Sequence, residues 1–385
     1  MSYLHGVERR DLLTSELSGK RLGLITNPSG VTQQLYATVD YLYDNFKLTA
    51  LFSAEHGVRG DAQAGQKVST YTDPITSLPV YSMYSGGKSD ISSALESIDC
   101  LVYDIQDVGL RFYTYIYTLA EAMKAAAAKG IPVVVLDRYD PLGLSRVEGT
   151  LLADAFSSGV GKFALPSRYG LTVGEFARYV NEEYSIGCDL RVIPCANLSR
   201  SDDAFSLSLP WVLPSPNLPT IESTLCYVGT VLFEGTDMSE GRGTTKPFEL
   251  IGAPWLRADE LAEHFNSGRL EGAILRPAYF TPTFSKHAGT LCRGVQIHIT
   301  NRDTFDPFSL GLRLVDYIRS THSEFSFRGE SELIPEDQSH KLFIDLLLGT
   351  DEFRKGTLGV EELIEKHAAK VADFKKRSER YHLYS

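Results

Sequence analysis

Cysteine is scarce and scattered in this chain: Cys100, Cys188, Cys195, Cys226 and Cys292 form no CxxC pair, which argues against both a zinc cluster and a disulfide framework. Long apolar runs are missing as well, none approaching the roughly 20 residues of a membrane helix, and no span is expected. The first residues, MSYLHGVERRDLL, lack the basic-then-apolar order of a secretory leader. The cytoplasm is therefore the default location, with a periplasmic or secreted protein as the alternative if a leader has been trimmed. Basic tracts are absent, and 38 Lys plus Arg against 49 Asp plus Glu give a formal charge of −11. Such a surface repels nucleic acid. No GxGxxG follows the first apolar run, and neither GxSxG nor HExxH occurs, which disfavours nicotinamide, serine-esterase and zinc-protease chemistry.

What is present reads as an ordinary globular enzyme. At 385 residues the chain is long enough for two domains, each able to bury its own core. Short apolar runs recur at 22–26, 48–53, 80–84, 100–105, 132–136 and 190–193, most of them buried on both faces by their pattern. Helical patterns lie between several of these runs, clearest at 115–129 and at 172–184, where Thr172 is an N-cap with Glu175 three residues on. That alternation predicts an α/β fold with a mainly parallel, doubly wound sheet. The segment 200–221, broken by Pro210, Pro214, Pro216 and Pro219, holds the domain boundary. It divides the chain into 1–210 and a smaller mixed α/β domain over 211–385, with a Gly-rich loop at 234–245, a strand at 294–300, a helix at 310–320 and a charged helical tail.

In such a sheet the ligand crevice lies outside the carboxyl ends of the strands. The residues just past the apolar runs are polar here: Asn27 after the first, Glu55, His56 and Arg59 after the second, Asp104, Gln106, Asp107 and Arg111 after the fourth, Asp137 and Arg138 after the fifth. Glu55 is the most informative, because partial burial at a strand end would raise its pKa and suit it to general-acid work; the competing reading is a capping glutamate. His56 alone is more often structural than catalytic. Asp104 and Asp107 are a second carboxylate pair, and Arg111 either holds them ionised or binds an anionic substrate group. Tyr113 offers a sugar an aromatic face or a hydroxyl, or else packs at the start of a helix. In the Gly-rich loop Glu234, Glu240, Arg242 and Lys246 surround glycines whose amides suit a carboxylate or phosphate, although the loop lacks the GK[ST] ending of a Walker motif. No metal and no cofactor is expected from any ligand spacing.

The ordered set Gly23-Leu24-Ile25-Thr26-Asn27-Pro28, Ala54-Glu55-His56-Gly57, the run from Tyr103 through Gln106-Asp107-Val108-Gly109 to Arg111-Phe112-Tyr113-Thr114-Tyr115, and the Gly-rich loop resembles the exo-β-N-acetylmuramidases of the NamZ type. The likeness continues through Ser215-Pro216-Asn217-Leu218-Pro219, Ile251-Gly252-Ala253-Pro254-Trp255, Lys286-His287 and Gly294-Val295-Gln296-Ile297-His298. It implies a Rossmann-like catalytic domain, a smaller C-terminal domain closing a cleft, and a peptidoglycan hexosaminidase that takes N-acetylmuramic acid from the non-reducing end of a fragment or muropeptide. It also implies a catalytic role for Glu55. Two family patterns are altered here, to Arg168-Tyr169-Gly170 and Tyr227-Val228-Gly229. On the glycosidase reading Glu55 protonates the leaving group, Asp104 or Asp107 supports the other face, and Arg111, Arg242 or Lys246 meets the lactyl carboxylate. Competing readings are a non-catalytic muropeptide-binding protein with the same two-domain cleft and, ranked last, a phosphate-binding enzyme using the Gly-rich loop.

Overall fold

The computed structural model describes residues 2–54, 57–60, 70–83, 94–268, 270–329 and 341–385; Glu55 and His56 lie outside these residues. In the N-terminal half, strands β1 (Leu22–Thr26), β2 (Leu48–Ser53), β3 (Tyr71–Thr72), β4 (Pro79–Ser82), β5 (Cys100–Asp104), β6 (Val133–Leu136) and β7 (Leu190–Ile193) form one sheet. Its order is β3-β4-β2-β1-β5-β6-β7. Every pairing is parallel except β3 with β4. The chain leaves β1 in one direction and returns through β5 in the other, so the topological switch point falls between these two strands.

Alternation of side chains sends successive residues to two cores. Leu22 and Leu24 of β1, Val102 of β5 and Val134 of β6 face helices α1 (Arg10–Leu17) and α2 (Thr38–Asn45). Ile25, Tyr103 and Val135 face α3 (Tyr115–Lys129) and α4 (Val173–Glu183). Thr172 caps α4 by accepting from Glu175 N, with the Glu175 carboxylate returning to Thr172 N, as its spacing predicts.

The second core runs on without a break into the C-terminal half. There it takes in α5 (Ile221–Thr230), α6 (Ala258–Ser267), α7 (Pro307–Thr321) and α8 (Phe343–Leu348). These pack with a three-stranded antiparallel sheet of order β8-β10-β9, from β8 (Leu250–Ala253), β9 (Ala273–Phe280) and β10 (Cys292–Ile299). Helices α5 and α7 touch backbone to backbone: a Cβ at Gly229 would lie 1.8 Å from Pro307 O, and one at Gly311 2.3 Å from Gly229 O. Only glycine fits at either place. All five cysteines are buried and unpaired, and no described helix is long and apolar enough to cross a membrane.

Two polar devices join distant parts of the chain. Arg111 is wholly buried and donates to Leu347 O at 2.6 Å and Leu165 O at 3.3 Å. Thr150 Oγ1 donates to Leu348 O at 2.5 Å, and Gly349, with φ 72°, terminates α8. Arg111 and Thr150 therefore cap the negative end of α8, the helix dipole standing in for a carboxylate. The second device is centred on Asp137, which accepts from Thr172 Oγ1 and Gly174 N at 2.8 Å each and from Tyr384 Oη at 2.5 Å. Tyr384 Oη also accepts from Cys195 N, and Tyr3 Oη lies 2.8 Å from His5 Nδ1 and 3.4 Å from Cys195 Sγ.

Candidate active site

At the switch point the strand ends are tied together by the protein's own groups. Thr26 Oγ1 donates to Asp104 O at 2.7 Å, Asn27 Oδ1 accepts from Ser29 N at 2.9 Å, and Ser29 Oγ accepts from Gln106 N at 3.0 Å. Asn27 thus builds the turn after β1. Asp104 is enclosed, with Arg138 Nε at 2.5 Å, Arg138 Nη2 at 2.8 Å and Thr38 Oγ1 at 2.5 Å. Its charge is paired with Arg138 inside the fold, and this is where the structure places the residue expected to support a reacting sugar. Asp137 likewise meets protein donors, at the N-terminus of α4. Arg59 spans Asp40 at 2.8 Å and Asp73 at 2.9 Å. Although burial pushes the Asp73 carboxyl up, Arg59 and Thr76 hold it down at about 2.

Asp107 differs from these. It is 4% exposed, its Oδ2 accepts from Gly109 N at 2.9 Å and from Tyr169 Oη, and its Oδ1 meets no donor among the described residues. Burial pushes it to about 6 against those donors. On the other side of Gly109 lies Asp140, whose Oδ1 accepts from Leu142 N at 2.9 Å and whose Oδ2 likewise meets no donor among the described residues; burial pushes it to about 7. A Cβ at Gly109, where φ is 67°, would sit 2.0 Å from Asp140 Oδ2, so glycine is what lets two acids flank one residue. The loop is held in place by Arg111 N donating to Ser167 O and Tyr169 N to Gly109 O. Glu148, paired with Arg168 at 3.1 Å and Arg146 at 2.9 Å, adjoins the same segment.

A run of buried aromatic rings leads from these acids to the Gly-rich loop. Tyr113 Oη donates to Pro214 O at 2.7 Å, and its ring meets Tyr115 edge-on at 5.1 Å. Asp107 and Tyr227 both add to the burial that raises the Tyr113 phenol. Phe112 meets Tyr227 at 5.2 Å, Tyr227 meets Phe248 at 4.4 Å, and Arg242 lies over Phe248 at 5.3 Å. Arg242 is held by Glu234 at 2.6 Å and Glu240 at 3.3 Å, and Glu240 by Lys286 at 2.7 Å. Lys286 also donates to Phe233 O and Thr236 O. The four charges form a chain, Glu234 to Arg242 to Glu240 to Lys286, of zero net charge. Lys246 stands outside it, paired with Glu249 at 3.1 Å.

Residues 22–222 match the family described as exo-beta-N-acetylmuramidase NamZ, N-terminal, and residues 225–384 match its C-terminal counterpart. The chain belongs to this family. It is 48% identical over 371 residues to the peptidoglycan beta-N-acetylmuramidase NamZ of Bacillus subtilis (strain 168), covering 96% of this chain and 88% of that protein. Two crystal structures of DUF1343 family proteins from Bacteroides fragilis are also similar. One has a TM-score of 0.87 at 34% identity, and the other 0.76 at 30%; each match covers 100% of this chain and 99% of the other.

For this NamZ-family chain the structure links Asp107, Tyr113, Glu234, Glu240 and Arg242 through that run of rings and ion pairs, and places Asn27, Asp104 and Asp137 in bonds at the neighbouring strand ends, Arg59 in its own ion pairs, and Arg111 at the cap of α8. Residues to which sequence reasoning gave no site role join the same network: Asp140, Tyr169, Tyr227 and, through Glu240, Lys286. The two raised acids carry a testable sign. Between about pH 4, where a free aspartate titrates, and about 6 to 7, the folded protein keeps protons on Asp107 and Asp140 that the unfolded chain has lost. Stability therefore falls as pH rises through that window and levels off above it. Asp140→Asn should flatten this fall, so that its melting temperature gains on the wild type between pH 5 and 8. Parallel curves would show that Asp140 is not held protonated.

Proposed function

We infer that this protein is an exo-β-N-acetylmuramidase that releases N-acetylmuramic acid from the non-reducing end of peptidoglycan fragments. The observation that carries this reading is the 48% identity to the Bacillus subtilis peptidoglycan beta-N-acetylmuramidase across 96% of the chain, joined to family matches over both halves.

Glycoside cleavage passes through an oxocarbenium-like state that needs a proton at the leaving oxygen and negative charge across the ring. Glu55, two residues past the end of β2 in sequence, is assigned the acid: its proton passes to the glycosidic oxygen as the bond to C1 breaks, and water then adds to C1 and gives up a proton. Asp107 is a better second group than Asp104, because Arg138 neutralises Asp104 whereas one oxygen of Asp107 has no donor among the described residues. Attack by the substrate's own 2-acetamido oxygen is compatible with this placement, Asp107 then supplying charge alone.

Arg242 is the cation assigned to the lactyl carboxylate, because its planar donors suit a carboxylate and it lies over Phe248 at the end of the run of rings. Arg242→Ala should raise KM for muramides about tenfold more than for glucosaminides; equal losses on both would remove it from recognition. The reading as a whole is checked by incubating the protein with muramic and glucosamine glycosides and following released sugar. Muramides should be cleaved from the non-reducing end, whereas binding without release over hours would favour a receptor.

A further inference from the structure

The 31 residues from 272 to 302 contain no Asp or Glu, yet carry Arg276, Lys286, Arg293, Arg302, His287 and His298 in a chain of net charge −11. Lys286 and Arg302 are committed to Glu240 and Asp203. Arg276 is bonded to Gln296 and His298, and Arg293 has no carboxylate partner among the described residues. This stretch is the hairpin of β9 and β10, in which Tyr279 lies directly opposite Arg293. Both point to the face that, further along the same strands, buries Ala273, Leu275, Val295 and Ile297. The hairpin overruns the core, and that face emerges into solvent at its far end.

Apolar side chains gather where it emerges. Of the ten exposed large hydrophobic residues among those described, three fall there: Tyr279 at 61%, Phe284 at 53% and Leu291 at 58%. Leu291 precedes Arg293 by two positions and so shares its face; Phe284 lies in the connecting loop. That loop is tied to the Gly-rich loop by Thr283 N and Oγ1 donating to Gly243 O, both at 2.9 Å, and by His287 Nε2, 2.8 Å from Asp237 O. The exposed end is thus fixed to the loop that carries Glu240 and Arg242.

We propose that Tyr279, Phe284, Leu291 and Arg293 form a platform that holds the peptidoglycan glycan strand beyond the sugar being removed. The proposal rests on the muramidase reading, since an enzyme working from a chain end must let the rest of the strand run out over its surface. Pyranose rings present C–H faces that pack on exposed aromatic rings, and the strand's carboxylates require a local cation. Charges more than about 8 Å away are screened at physiological salt, so this acid-free patch, and not the net negative charge, is what a strand passing over it experiences.

The test compares the full chain with Tyr279→Ala, Arg293→Ala and the double variant on two substrates, a small aryl muramide and long peptide-stripped glycan strands, alongside co-sedimentation with the strands. The double variant should raise KM for strands about tenfold, with kcat and all constants for the small muramide unchanged. Strand binding by the wild type should weaken with salt more steeply than that of Arg293→Ala. Unchanged kinetics on strands, an equal loss on both substrates, preferential binding of anionic vesicles, or a dimer dissolved by Tyr279→Ala would each overturn it. If the wild type cleaves neither substrate the muramidase reading fails, and strand co-sedimentation still tests the platform: loss of binding in the double variant supports it, and undiminished binding overturns it.

Discussion

Exchanging Glu55 for glutamine is expected to lower kcat on a natural disaccharide by on the order of 10² to 10⁴, the usual contribution of a positioned acid. Glutamine keeps the volume and loses only the proton. A sugar leaving group must be protonated as the bond breaks, because an alkoxide is a poor leaving group; a nitrophenolate departs unaided. The loss should therefore be much smaller on a nitrophenyl muramide than on the disaccharide. Equal losses on both would move Glu55 from acid to nucleophile or base, and normal turnover of both would remove it from the chemistry.

Replacing Arg111 with alanine should cost about 4 kcal/mol or more. Two buried carbonyls, Leu347 O and Leu165 O, would lose their donor at roughly 1–3 kcal/mol each, and a void would open where the guanidinium stood. Burial already lowers this cation's pKa to about 10, so the site tolerates the charge only through the carbonyls and the end of α8. Urea or thermal unfolding measures the loss, and the folded fraction at low temperature should still discriminate muramides from glucosaminides. A fully folded variant that had lost only muramide binding would return Arg111 to the ligand.

The parallel sheet is legible in the sequence because its strands are short apolar runs separated by helix patterns, and Thr172 and Glu175 announce α4 unaided. The antiparallel half is less so. Only β10 stands out, since β9 contains Pro277 and an eleven-residue connection separates the two. The site is partly legible for a related reason: sequence shows which acids lie at strand ends but not which cation each will meet. Asp104 and Asp107 look equivalent until Arg138, 34 positions on, closes over the first. Lys286 cannot be paired with Glu240 before the hairpin and the Gly-rich loop are brought together, and Arg111 lacks a visible partner in sequence because its partners are carbonyls.

The bond from Tyr384 to Asp137 bears on how the protein is made. Asp137 stands at the tip of β6, one strand in from the edge of the sheet, yet one of its donors arrives 247 positions later. As the chain emerges from the ribosome, the first half must wait with that carboxylate short of a donor until the far end swings back across α4. A chain stalled on the ribosome before residue 384 should therefore display an N-terminal half that proteases cut faster than they cut it in the full chain.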